Sequence, residues 1–198
     1  MGFGENANRA CTPTPQATKG LRVVAHPGHH LGQPLLQGCA RLKAQNLFVE
    51  HALEAEARER LWRARRNVSP ALKRLAPGKL ADDVVVSRSR LVPLLRFIKE
   101  AAARSGLQVA CFGHLGDGNV HVNILYDPSR EQAQAQALRE EILAQVLALS
   151  GTISGEHGIG LTKRAYLPRE LPPPVVALMR QMKDLFDPQG ILNPGKIF

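Results

Sequence analysis

The sequence predicts an α+β fold in which helices cover one face of an antiparallel sheet. Three observations carry that reading. Asp83-Val84-Val85-Val86 is a short β-branched run, residues 107–112 and 120–126 alternate on either side of a glycine-rich turn, and residues 90–103 and 130–150 repeat apolar side chains at helical spacing. Strand, helix, strand, strand, helix is the order of a ferredoxin-like layer. Its opening strand and helix would have to come from the poorly patterned N-terminus. The sheet is therefore expected to be incomplete at its N-terminal side, with a C-terminal helical segment added beyond it.

Taken in order, residues 1–45 stand apart. Thr12-Pro13-Thr14-Pro15, His26-Pro27-Gly28-His29-His30 and Gly32-Gln33-Pro34 leave no run long enough for a helix or a well-formed sheet, so a disordered or non-native extension is expected there. His26, His29 and His30 lack other ligand types beside them, and disorder is the stronger reading than a metal cluster. The ordered domain is expected over residues 46–198. A helix is predicted over 46–66, where Leu47, Phe48, Leu53, Ala57 and Leu61 recur among alternating glutamates and arginines. Leu91, Leu94, Leu95, Ile98 and Ala102 give the next helix one apolar face, and Gly106 should end it. Ala137, Leu138, Ile142, Val146 and Leu149 stripe the long helix after the hairpin. Pro172, Pro173 and Pro174 are expected to hold off the last helix until Val175, and Asp187-Pro188 to stop it.

Chemistry concentrates in two glycine loops. In Gly113-His114-Leu115-Gly116-Asp117-Gly118-Asn119-Val120-His121 the turn brings two imidazoles to one end of a hairpin, as a metal needs, although a hairpin with two merely exposed histidines has the same spacing. In Ser154-Gly155-Glu156-His157-Gly158-Ile159-Gly160 a carboxylate and an imidazole sit side by side between glycines. One could serve a metal and the other a substrate; a solvated turn is the plain alternative. Asp117 and Asn119 read as loop-formers or hydrogen-bond partners of the ligands.

Composition narrows the classes. A chain of 198 residues with 44% hydrophobic content can bury one ordinary core, and no apolar run approaches a membrane span. The start has no basic segment followed by an apolar one, so a secretory signal is not expected. Three scattered cysteines do not make a disulfide framework, and a reducing cytoplasm fits best. The net charge of +9 comes from arginines spread through amphipathic segments without aromatic interleaving, which argues against nucleic acid and for anionic substrates or an acidic partner or lipid surface.

The two loops, together with Phe186-Asp187-Pro188-Gln189-Gly190-Ile191-Leu192-Asn193-Pro194-Gly195-Lys196, resemble the C-terminal domain of FAD-linked oxidases, the group of glycolate oxidase flavin subunits, D-lactate dehydrogenases and D-2-hydroxyglutarate dehydrogenases. The resemblance runs from about Asn46 to Phe198. It implies the substrate- and metal-binding half of an FAD-dependent 2-hydroxy-acid dehydrogenase that oxidises the α-hydroxyl with hydride transfer to FAD. His114, His121 and Glu156 would be the metal ligands, with zinc the expected ion and manganese or iron as alternatives. His157 would be the catalytic base. Leu61-Trp62-Arg63-Ala64-Arg65-Arg66 matches a family segment whose arginine binds the substrate carboxylate, which makes Arg65 the candidate, with Ser69 and Asn123 beside it. Asn193 would contact the flavin.

The flavin-binding domain expected before this one is absent from the sequence, as is any dinucleotide fingerprint. A truncated product, or a subunit that needs a flavin-binding partner chain, is expected, inactive by itself; an iron–sulfur subunit is a further implied partner. The cytoplasm is the implied compartment, with peripheral contact at the inner face of the membrane. A non-catalytic remnant or interaction subunit that keeps the fold, and a metal-dependent hydrolase using Glu156 or His157 as base, are the alternatives.

Overall fold

The computed structural model describes residues 22–25, 48–51 and 54–198. The expectations for the histidines of residues 26–30, and for most of residues 1–45, lie outside the described residues. Two compact units divide the chain, residues 1–68 and residues 69–198.

In the first unit, strand β1 (Arg22–Ala25) pairs in parallel with β2 (Phe48–His51), and helix α1 (Ala55–Arg66) follows. Within the helix predicted over 46–66, Phe48–His51 is thus a strand. Phe48-Val49-Glu50-His51 suits an extended partner for Arg22-Val23-Val24-Ala25, and pairing overrides the loose helical spacing. The helix runs over Ala55–Arg66, and Leu61 is its buried residue.

A short helix, α2 (Val68–Leu72), leads into the larger unit. There β3 (Gly78–Val85), β4 (Gln108–His114) and β5 (Asn119–Tyr126) form an antiparallel sheet in the order β3-β5-β4. Helix α3 (Leu91–Ser105) connects β3 to β4, and α4 (Gln132–Ala148) follows β5. This is the predicted α+β layer. Gly106 ends α3 at φ 70°, a left-handed conformation that favours glycine.

Register sorts the side chains into two faces. Val84 opposes Val120 and Asp82 opposes Val122, and with Ile124 and Tyr126 they line the face that α3 and α4 cover. Leu94, Ile98, Leu138, Ile142 and Val146 complete that core. One charge pair is buried in it: Arg139 of α4 donates to both oxygens of Asp82, at 2.7 and 2.8 Å. The other face carries Lys79, Ala81, Asp83 and Val85 of β3 opposite Leu125, Asn123, His121 and Asn119 of β5. Every residue of β5 is buried, whereas Ala81 of β3 and His114 of β4, on the same polar face, remain exposed.

The gap in the sheet lies beside β3, its N-terminal strand, but for a different reason than expected. After α4 the chain returns to the outer edge of β3, where a fourth ferredoxin-like strand would run. It pairs at a single bridge, with Val85 N–H donating to Thr152 O (3.1 Å) and Thr152 N–H to Val85 O (2.9 Å), and then turns away as a loop. Beyond it come α5 (Leu167–Glu170) and α6 (Pro173–Phe186). Helix α6 begins two residues earlier than predicted, because Pro173 and Pro174 occupy first-turn positions whose N–H groups no helix bond needs.

Breaking the buried pair should be costly because one charge is left behind. Asp82→Ala is expected to lower unfolding stability by about 3–5 kcal/mol, and the double variant Asp82→Leu/Arg139→Met to recover most of that loss. Urea unfolding checks both; equal losses in the single and double variants would refute the burial argument.

Candidate functional site

His114 ends β4 and His121 is the third residue of β5. His114 opposes Asn119 and Phe112 opposes His121, so both histidines lie on the polar face as diagonal neighbours. Their rings meet edge-on with centroids 5.8 Å apart, while Phe112 packs against His121 at 5.2 Å. The turn between the strands runs through Gly118 at φ 73°, whose carbonyl accepts from Val86 N–H at 3.1 Å. A Cβ there would stand 1.9 Å from Val86 O, so the hairpin closes against β3 only with glycine.

The second loop begins at the Thr152 bridge and is held from beneath by Asp83. One Asp83 oxygen, Oδ2, accepts three successive backbone N–H groups, from Gly155 (2.9 Å), Glu156 (2.6 Å) and His157 (3.0 Å). The other, Oδ1, accepts from Lys163 Nζ at 2.6 Å, and Lys163 also donates to Asp83 O at 3.1 Å. Asp83 is fully buried, and Lys163 is 3% exposed. Burial alone would push the Asp83 carboxyl up. The Lys163 hydrogen bond, the Glu156 and His157 amides and the Lys163 charge together outweigh it, and its pKa is lowered to about 2.

This arrangement sets Glu156 over the hairpin. His114, His121 and Glu156 each offer an atom, and the three atoms lie within 4.8 Å of one another. Glu156 Oε1 is 3.2 Å from His121 Nε2. Two imidazoles and a carboxylate at that separation suit a divalent cation, with coordination positions left for another ligand. The His157 ring stacks on His121 at 5.3 Å, with Nδ1 3.4 Å from Asp83 Oδ1 and Nε2 3.8 Å from Glu156 Oε1. His157 is thus beside the three donors without being one of them.

The remaining predicted residues divide. Asn123 is buried on the same face, one row from His121, and its Nδ2 donates to Ala110 O at 3.3 Å. Ser69 accepts from Lys79 Nζ at 2.9 Å. Lys79 stands on the polar face two rows from Asp83, about 13 Å along the strand. Arg65 is half-buried in the last turn of α1, in the first unit. Asn193 is exposed at φ 48° in the C-terminal turn, which is stitched to the second loop by Ile197 N–H donating to Gly160 O at 3.0 Å.

Asp83, Lys163 and Lys79 are the residues that sequence reasoning missed. The legible signal was Asp82-Asp83 in the middle of a strand whose other residues apart from Lys79 are apolar or glycine. Adjacent strand residues point to opposite faces, so two carboxylates there demand two separate sets of buried donors.

A model of the family described as FAD linked oxidases, C-terminal domain, matches residues 14–197. The chain belongs to that family. The match begins well inside the stretch that the sequence pattern sets apart. The glycolate oxidase subunit GlcD of Bacillus subtilis is 36% identical over 158 residues, covering 79% of this chain and 34% of that protein. The mitochondrial D-lactate dehydrogenase [cytochrome] of Arabidopsis thaliana is 37% identical over 155 residues, 76% of this chain and 27% of its own length. The D-2-hydroxyglutarate dehydrogenase of Xanthomonas citri pv. viticola is 40% identical over 147 residues, 70% of this chain and 30% of its own. The chain spans about a third of the length of these relatives.

Because the folded pKa of Asp83 lies below its unfolded value, its contribution is fully present above pH 4 and fades as pH falls towards 2. Metal-free protein should therefore lose roughly 2 kcal/mol through this group between pH 5 and pH 2. Urea midpoints across that range, compared with Asp83→Asn, test it. The acid loss should be shallower in the variant, and parallel curves would contradict the assignment.

Proposed function

We propose that this chain is the substrate- and cation-holding domain of an FAD-dependent 2-hydroxy-acid dehydrogenase. The observation that carries the reading is the meeting of His114, His121 and Glu156 within 4.8 Å, with His157 stacked alongside. The names of its relatives, which include glycolate oxidase, D-lactate dehydrogenase and D-2-hydroxyglutarate dehydrogenase, supply the substrate class.

Each residue then has a task. His114, His121 and Glu156 hold a divalent cation, zinc by preference and manganese or iron otherwise. A cation held there would supply polarisation of the α-hydroxyl, and a bound flavin would supply the acceptor for the hydride from the α-carbon. His157 takes the hydroxyl proton, a role that an imidazole can fill near neutral pH. Asn123, in the next row of the sheet, orients the carboxylate; Arg65 is a carboxylate-binding candidate on the strength of the sequence resemblance alone. Ser69 and the Lys79 ammonium that it binds give the far end of the face a positive charge suited to the same group. Asn193 presents its amide to the flavin edge.

Most of the flavin is held by polypeptide other than this domain, in a preceding domain or a partner chain. This domain alone is therefore inactive. An iron–sulfur subunit is a suitable onward electron acceptor. The proposed compartment is the cytoplasm, with peripheral contact at the inner membrane face through exposed arginines. Among the described residues no helix is long and apolar enough to cross a membrane.

Substitutions separate the roles. His114→Ala or Glu156→Ala should weaken zinc binding at least tenfold, whereas His157→Ala should keep zinc and abolish D-lactate or glycolate oxidation in a complex reconstituted with a flavin-binding chain. Zinc titration and anaerobic bleaching of flavin absorbance near ~450 nm read the two effects. Equal zinc retention in all three variants would refute the assignment of ligands.

A further inference from the structure

We propose that Asp83 is the positioning residue of this site: from inside the sheet it fixes the backbone of residues 155–157, so that Glu156 and His157 project beside the two hairpin imidazoles. The proposal rests on the cation site inferred above and deepens it. Asp83 itself is no ligand. It is fully buried, and both its oxygens are occupied, one by three amides and the other by Lys163.

Three features make the contact specific to the loop and not merely part of the core. The three donors are consecutive amides, which form a concave backbone seat for a single oxygen. Loop residues 155–157 are themselves exposed, so burial in the core does not hold their backbone in place. At Gly155 the chain presses onto the sheet so closely that a Cβ would stand 2.6 Å from Asn119 Nδ2 and 2.9 Å from Val85 Cγ2. Glycine there is what lets the first amide reach Asp83. The far end of the loop returns to the same anchor through Lys163. Register puts Asp83 directly opposite His121, so one strand pair carries both the buried imidazole and the carboxylate that aims its companions.

The test uses the full chain and two readouts, amide hydrogen exchange and zinc titration. In the wild-type protein the amides of Gly155, Glu156 and His157 should exchange at least tenfold more slowly than that of Gly116 in the exposed hairpin turn. Fast exchange at all three would overturn the proposal without any variant. Asp83→Asn, which makes one oxygen a donor, should speed those three amides at least tenfold and weaken zinc binding at least tenfold. Ile142→Ala, a cavity in the helix-covered core, should speed core amides while leaving zinc affinity within threefold. If Asp83→Asn leaves the loop amides protected and zinc affinity unchanged, or if Ile142→Ala weakens zinc equally, Asp83 has only a structural role. If wild-type protein binds no zinc while the exchange pattern holds, the cation reading fails and the anchoring of the loop by Asp83 stands.

Discussion

A carboxylate sealed inside a β-sheet is the constraint from which the rest of this structure follows. An isolated buried carboxylate is too costly to keep, and Asp83 is stable where it is because four donors converge on its two oxygens. Those donors belong to a loop some seventy residues further along the chain. Satisfying Asp83 therefore fixes the loop, and fixing the loop brings Glu156 to the hairpin. Its neighbour Asp82 does the same work on the other face through Arg139, whose guanidinium also reaches Thr162 O at 3.4 Å, one residue from Lys163. Two adjacent carboxylates thus tie the sheet to the covering helix and to the Glu156 loop at once.

How much of this was legible depends on how local each interaction is. The hairpin could be read because its glycines, alternation and histidines lie within a dozen residues. The apolar stripes of α3 and α4 are likewise a property of single segments. Residues 48–51 misled, because their apolar spacing is compatible with a helix and only a distant partner, Arg22–Ala25, makes them a strand. The prolines before α6 misled for another reason: proline blocks the interior of a helix but suits its first turn. The Glu156 loop could be named as chemistry but not placed, since three of the four groups that place it are backbone amides, which leave no mark in a sequence.

The polar face of the sheet offers a graded surface. At one end are His114 and Asn119, then His121 beside Asp83, then Asn123, and at the other end Lys79 with Ser69. Successive rows are about 7 Å apart, so an amide stands one row from His121 and a positive charge two rows from it. Asn119 adds an unusual feature at the edge of the loop. Its Oδ1 is buried without a donor among the described residues, beside the glycine that seats the loop. The candidate site residues of the sheet share one face, while the hydrophobic core, with the buried Asp82–Arg139 pair in it, lies on the opposite face.

Anomalous diffraction from zinc-loaded crystals of the chain tests the central claim most directly. The account predicts a single zinc peak with one nitrogen each from His114 and His121 at about 2.0–2.1 Å and a Glu156 oxygen at about 2.0–2.2 Å, above an Asp83 still seated in its three amides. Zinc bound elsewhere, or bound by the histidine pair with Glu156 turned away, would contradict it.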